Sequence, residues 1–269
     1  MTTLTTPAHR TEVQGMSRIA LVTGAGTGIG RGIALELAKA GYDVGLHFNS
    51  SSDGAERAAA EIRAMGRCAE TFSADLSSVA AIRGLFADFR ARFGRLDLFV
   101  NNAGITLKAP FLEMTEADFD QNCAVDFKAP YFCMQEAARM MSGQEGAGNI
   151  VAIASNNAFC QFAQATAYAA MKAGLVKMVR SIALEMARYH IRVNAIAPGW
   201  TDTGAARLEP KEDTYYKIPL RRWVQPEEVG KAILFLDSDA ALSVTGITLV
   251  MDGGAQLLSD KAEKYGLAD

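Results

Sequence analysis

From Arg18 onward the chain alternates short apolar runs with longer stretches of helical period. The runs Ile19–Thr23, Val44–Phe48, Ala69–Ser73, Leu96–Val100, Ile150–Ala154, Arg192–Ile196 and Ile247–Met251 are predicted strands. Several are continuously hydrophobic rather than alternating, as strands covered on both faces must be. Between them, Gly30–Ala40, Asp53–Met65, Ser78–Phe93, Glu116–Met141, Ala165–Tyr189 and Pro226–Leu236 are predicted helices. Thr115 followed by Asp118 resembles a capping box that opens the fourth helix, with Asp in place of the stronger Glu. This alternation predicts a single α/β domain, a parallel sheet wound with helices on both faces. No repeat, low-complexity tract or interdomain linker interrupts it, so residues 17–269 are taken as one domain. The first sixteen residues are Thr-rich and lack the apolar stretch of a signal peptide, and are read as a disordered extension.

Composition narrows the function classes. A formal charge of −3 over 269 residues gives no reason to expect nucleic acid or an anionic membrane as partner. No apolar run reaches the roughly 18 residues needed to span a bilayer. Cys68, Cys123, Cys133 and Cys160 have no Cys-x-x-Cys spacing and read as reduced thiols of a cytoplasmic protein. His9, His47 and His190 lie far apart, so no metal site is expected.

Two constellations carry chemistry. The first is Ile-Ala-Leu-Val-Thr-Gly-Ala-Gly-Thr-Gly-Ile-Gly, running from the first strand straight into a helix. Gly24, Gly28 and Gly30 allow a tight turn and close approach of a pyrophosphate, which the N–H groups and positive end of the helix would meet. Thr27 and Ile29 belong to the same candidate cradle. The spacing Gly-x-x-x-Gly-x-Gly differs from the more familiar Gly-x-Gly-x-x-Gly. An acidic residue near the end of the second strand would select NAD. Here that region reads Leu-His-Phe-Asn-Ser-Ser-Ser, with Phe48 at the expected place. His47, Asn49 and Ser50 could donate to a 2′-phosphate, and Arg31 supplies a nearby cation. NADP is the expected cofactor, with NAD as the alternative.

The second is Tyr168-Ala-Ala-Met-Lys172, with Ser155 thirteen positions upstream. On a helix, residues at i and i+4 share a face with Cβ atoms about 5–6 Å apart. An ammonium beside a phenol favours its ionised form, which suits a group that must give and take a proton near neutrality. Ser155 adds a hydroxyl able to hold a carbonyl oxygen.

The ordered set Thr23–Gly30, Asp75-Leu76, Asn101-Asn102-Ala103-Gly104, Ser155, Tyr168/Lys172 and Asn194 through Gly199 with Thr203 resembles the short-chain dehydrogenase/reductase family over about Ser17 to Gln256. The resemblance implies a Rossmann domain with a seven-stranded parallel sheet, and a nicotinamide oxidoreductase in which Ser155, Tyr168 and Lys172 are catalytic. It implies that Asp75 and Leu76 flank the adenine and that Asn102, Ala103 and Gly104 adjoin the cofactor. Pro198, Gly199, Thr201 and Thr203 would face the nicotinamide carboxamide, beside Tyr168 and Lys172. It further implies a last strand that packs between subunits of a homotetramer.

One position departs from the family. Its usual active-site Asn, whose backbone carbonyl holds a relay water, is replaced by Asp126 in Val-Asp-Phe. A backbone carbonyl does not depend on the side chain. Pro130, four residues on, lacks the N–H that would occupy that carbonyl. A kink is expected there, leaving the relay intact, and Asp126 stays among the candidate catalytic positions.

The segment from Gly204 to about Trp223 falls where the family carries its substrate lid. Asn156, Asn157, Phe159, Gln161 and Gln164 near Ser155 form an amide-rich wall suited to a hydroxylated substrate. A sugar or polyol is therefore expected, by likeness to glucose dehydrogenases of the family. A 3-oxoacyl-carrier-protein reductase is the alternative, with Lys108, Arg139 and Arg188 as candidate docking cations. A non-catalytic NADP-binding sensor is a third reading, supported by Asp126 alone.

Overall fold

A computed structural model describes residues 17–144, 146–204 and 217–257. Its strands are β1 (Ile19–Val22), β2 (Asp43–Phe48), β3 (Ala69–Ser73), β4 (Leu98–Asn101), β5 (Asn149–Ile153), β6 (Arg192–Pro198) and β7 (Thr248–Met251). The helices are α1 (Gly28–Lys39), α2 (Ser52–Ala64), α3 (Val79–Phe93), α4 (Glu116–Cys123), α5 (Ala129–Ser142), α6 (Thr166–Met186) and α7 (Pro226–Asp237). All strands pair in parallel in one sheet of order β3-β2-β1-β4-β5-β6-β7. The seven expected strands are all present, with ends moved by a residue or two.

Period-2 geometry divides each strand between two cores. Leu21, Phe99, Ile150, Val193 and Ala195 pack with Phe86, Phe89, Met134, Leu175 and Val179 of α3, α5 and α6. Their neighbours Ala20, Val22, Leu98, Val100, Val151 and Ile196 pack with Ile33, Leu37, Ile62, Val229 and Ile233 of α1, α2 and α7. Both faces of the sheet are buried, which explains the continuous apolar runs.

The chain leaves β1 toward β2 and β3 on one side, then returns to β4 on the other. Loops after β1 and β4 therefore diverge from adjacent strands, the point at which open α/β sheets bind ligands. Helix starts are chemically marked. Ser78 accepts from the Ala81 N–H at 3.3 Å, and Thr115 accepts from the Asp118 N–H at 3.1 Å. The Asp118 carboxylate takes the Thr115 hydroxyl at 2.7 Å rather than a backbone N–H, so this box is closed through side chains. Gln225 and Glu228 form a full capping box at the start of α7.

One expectation is corrected. Glu116–Met141 is not one helix but α4 and α5 joined by a π turn over Ala124–Lys128. Pro130 cannot donate to the carbonyl of Asp126, so the α pattern cannot run through. Instead the Ala129 N–H reaches back five residues to the Ala124 carbonyl, and the extra residue is absorbed as a π bulge. Asp126 lies inside that turn and is fully buried.

Candidate active site

The glycine loop joins β1 to α1 at the switch point. Gly28 begins α1 at φ +51°, in the left-handed region, and a Cβ there would stand 3.2 Å from Thr203. A Cβ on Gly30 would lie 2.1 Å from the Gly24 carbonyl oxygen, so only glycine closes this turn. Thr27 is extended at the helix N-cap and its side chain makes no capping bond, and the first turn carries no acidic residue. The leading N–H groups of α1 thus lack a side-chain acceptor and carry the helix's positive end. A cradle this close, with donors left open, fits a dinucleotide pyrophosphate.

The loop after β4 is stitched to it. The Asn102 and Ala103 N–H groups donate to the Thr23 hydroxyl at 2.9 and 3.0 Å. The Asn102 amide donates to the carbonyls of Thr23 and Gly24 at 2.9 and 3.2 Å.

His47 does something other than expected. It is buried, its Nδ1 accepts the Gly24 N–H at 3.2 Å, and its Nε2 lies 3.0 Å from the Ala74 carbonyl. With Nδ1 accepting, Nε2 donates, and the ring has nothing left to offer a phosphate. Burial pulls the imidazole below its ordinary value of 6.5. Asn49 and Ser50 remain exposed beyond β2. Arg31 is engaged by Glu61 at 2.6 Å, both half exposed. The exposed Asp75 accepts the Ser77 N–H and hydroxyl at 3.0 and 2.8 Å, bonds that hold its carboxyl below the usual range, while Leu76 is buried.

Tyr168 and Lys172 face the carboxyl end of β5 from the first turns of α6. The Lys172 ammonium is buried, lies 5.5 Å from the centre of the Tyr168 ring, and donates to the Ile153 carbonyl at 3.3 Å. The Asp126 Oδ1 stands 3.2 Å from the same Nζ, and Oδ2 receives the Ile105 N–H at 3.4 Å. Burial raises the Asp126 carboxyl above its ordinary range, and Lys172 opposes that shift without cancelling it. Gly104 makes room for the pair: a Cβ there would sit 2.7 Å from Asp126 Oδ1.

Ser155, at the end of β5, accepts the backbone N–H and the side-chain amide of Asn157, each at 3.2 Å. Asn156 is buried and donates to Asp252 at 3.5 Å. Gln161, Gln164 and Phe159 are exposed. Phe162 packs edge-on against Trp200 at 5.2 Å. Pro198 ends β6, and Gly199 donates to the Met251 carbonyl at 2.9 Å. The Thr201 hydroxyl donates to the Gly199 carbonyl at 3.0 Å, and Thr203 is exposed opposite Gly28. Most of the expected lid lies outside the described residues, as does the N-terminal extension.

The expected docking cations do not form one patch. Arg139 and Arg188 line a cavity between α5 and α6 that Lys108 does not reach. Arg139 is paired with Glu136 at 2.6 Å. Among the described residues no cluster of metal-ligating side chains occurs, and no helix is long and apolar enough to cross a membrane.

Sequence reasoning missed the Asp126 carboxylate on Lys172, His47 beneath the glycine loop and Asn157 on Ser155. The first two join residues distant in sequence, and no local pattern reports them. The third was legible as Ser-x-Asn, a short hydroxyl turn.

Residues 24–256 match the family model described as "Enoyl-(Acyl carrier protein) reductase". The chain is 36% identical over 242 residues to the 3-oxoacyl-[acyl-carrier-protein] reductase of Staphylococcus aureus, covering 89% of this chain and 98% of that protein. The crystal structure of acetoin dehydrogenase from Salmonella typhimurium superposes with a TM-score of 0.83 at 35% identity, covering 90% of this chain and 98% of the other. A short-chain dehydrogenase from Burkholderia cenocepacia, solved in complex with NADP, does so with a TM-score of 0.83 at 32% identity, covering 88% and 97%. With this sheet order, these loops and these relatives, the chain belongs to the short-chain dehydrogenase/reductase family.

Proposed function

We propose that this oxidoreductase uses NADP to interconvert the alcohol and carbonyl forms of a small hydroxyl-rich compound, a sugar or polyol or a short hydroxyketone. The observation that carries the reading is the buried Lys172 ammonium held 5.5 Å from the Tyr168 ring at the carboxyl end of β5. A bound nicotinamide supplies the hydride donor or acceptor. Everything else falls to the chain's own groups. Ser155 already accepts two N–H donors, so its hydroxyl proton is free to bond the substrate oxygen. Tyr168 gives that oxygen its proton in reduction and takes it in oxidation, and the Lys172 ammonium stabilises the phenolate left behind. Thr27, Gly28, Ile29 and Gly30 would hold the phosphates, while Asn102 and Ala103 brace that loop and Gly104 leaves room for Asp126 beside Lys172. Pro198, Gly199, Thr201 and Thr203 close the nicotinamide side, and Asp75 with Leu76 the adenine side.

A magnitude supports NADP as the cofactor. A half-exposed Arg–Glu pair is worth no more than about 1 kcal/mol. Arg31 can therefore leave Glu61 for a 2′-phosphate, a stronger charge-assisted partner, and Asn49 and Ser50 add donors without a repelling carboxylate. The 3-oxoacyl-carrier-protein reading is supported by the 36% identity to the Staphylococcus aureus reductase and by the exposed Phe111 and Leu112 on the turn after β4. Against it stand the amide side chains near Ser155 and the absence of one basic patch joining Lys108, Arg139 and Arg188.

The chain is also proposed to work as a cytoplasmic homotetramer. Its four cysteines are free, as a reducing compartment keeps them. The α5–α6 face, with a cavity of about 300 Å³ lined by Tyr131, Met134, Met178 and Ile182 and with Tyr131 45% exposed, offers a part-apolar surface for a second copy.

The test is NADPH oxidation with a panel of sugars, hydroxyketones and 3-oxoacyl thioesters, and NADP reduction with polyols. Turnover fastest with the hydroxylated compounds is expected. Turnover confined to the thioesters would support the carrier-protein reading. Tight nucleotide binding with no turnover on any of them would contradict both.

A further inference from the structure

Asp126 is a carboxylate where a neutral amide would serve, and the fold goes out of its way to house it. The π turn between α4 and α5 brings it inside, fully buried, with Oδ1 3.2 Å from Lys172 Nζ. The Ile105 N–H fixes Oδ2 at 3.4 Å, and only a hydrogen at Gly104 leaves space for the carboxylate. Lys172 is thereby held from two sides, by Asp126 and by the Ile153 carbonyl, with Tyr168 on the third. Among the described residues, Lys172 on α6 is the charged group that acts on Asp126. The loop after β4 contributes an N–H, and Lys128 at the end of the π turn is exposed.

A counter-ion does more than hold an amine in place. It cancels part of the positive field that the phenol feels, and in a water-poor site that field is only weakly screened. A phenol beside a bare ammonium ionises readily, whereas one beside an ammonium–carboxylate pair keeps its proton longer.

We propose that Asp126 is a positioning residue for the proton transfer, pinning Lys172 and offsetting its charge, so that Tyr168 stays protonated and ready for carbonyl reduction to higher pH than an unpaired lysine would allow. The role belongs to the side chain. It is distinct from the relay water that the family places on the backbone carbonyl at this position. It rests on the reading that Tyr168 is the proton donor and acceptor.

The experiment is a tyrosinate absorbance titration of the protein without added nucleotide, taken as the difference between wild type and Tyr168→Phe. The same difference is then taken between D126N and the D126N/Y168F double variant. Asn keeps the size of the side chain and an acceptor for the Ile105 N–H. The Tyr168 transition is expected at lower pH in the D126N background, and the rising limb of kcat/KM for alcohol oxidation is expected to move with it. An unmoved or higher transition overturns the proposal. Activity reduced by the same factor at every pH, with an unmoved limb, marks a structural role only and overturns it too. Should D126N fail to fold, D126S carries the same difference measurement. If instead Tyr168→Phe turns over normally, it is the catalytic reading that fails, which separates the two outcomes.

Discussion

His47 ties the glycine loop to protonation through a single side chain. Its Nδ1 must be unprotonated to accept the Gly24 N–H, and burial disfavours the charged ring. As pH falls, the unfolded chain therefore takes up this proton first. The stability contributed by neutral His47 is complete above the ordinary value of 6.5 and is lost as pH drops below it toward the folded-state value. His47→Asn is expected to melt with a flatter dependence on pH than wild type between about pH 7 and 5; identical slopes would remove His47 from the loop's support. The misreading of His47 as a phosphate donor has a physical origin. Its partners Gly24 and Ala74 lie 23 and 27 residues away, and adjacency on β2 says nothing of either. Tyr168 and Lys172 were legible because their relation is local, fixed by one turn of helix. The Asp126–Lys172 contact spans two elements and was not.

Among elements, the glycine loop makes the sharpest demand on sequence. A methyl at Gly30 would meet the Gly24 carbonyl at 2.1 Å, so Gly30→Ala must open the turn that aims the α1 N–H groups. NADPH affinity is expected to fall at least about tenfold by calorimetry, a loss of some 1.4 kcal/mol; an unchanged Kd would mean the phosphates bind elsewhere. The strands were readable because a strand covered on both faces has to be apolar at every position. The π turn was half readable. Pro130 announces a missing donor, but not whether the chain will kink or widen by one residue. Widening places Asp126 against Lys172, so the undetermined half is the one that matters at the site.

For the whole molecule, the two cores on either side of one sheet set the stability. Phe99 is fully buried in β4 and stacks edge-on with Phe86 at 5.5 Å. Phe99→Ala is expected to cost about 3–5 kcal/mol in denaturant unfolding, and a cost below 1 would place the core elsewhere. If the α5–α6 face joins copies, Tyr131→Arg on that face should shift light-scattering mass toward the monomer without lowering unfolding stability; an unchanged mass argues for another interface. Strand order was not contained in the periodicity, which is silent on which strands are neighbours. The ordered motifs that resemble a family implied only a seven-stranded parallel sheet, and the order itself is read from the structure. Substrate identity was the least legible property, because it was read from a resemblance over the 204–223 segment, most of which lies outside the described residues.

The proton-transfer role of Tyr168 is tested most directly by kcat/KM of Tyr168→Phe, measured together with its Kd for NADPH. A fall of roughly 10²–10⁴-fold in kcat/KM is expected, with nucleotide affinity held within about twofold, because the lost hydroxyl serves chemistry and not the glycine loop. Turnover close to wild type, or a parallel collapse of NADPH binding, would contradict it.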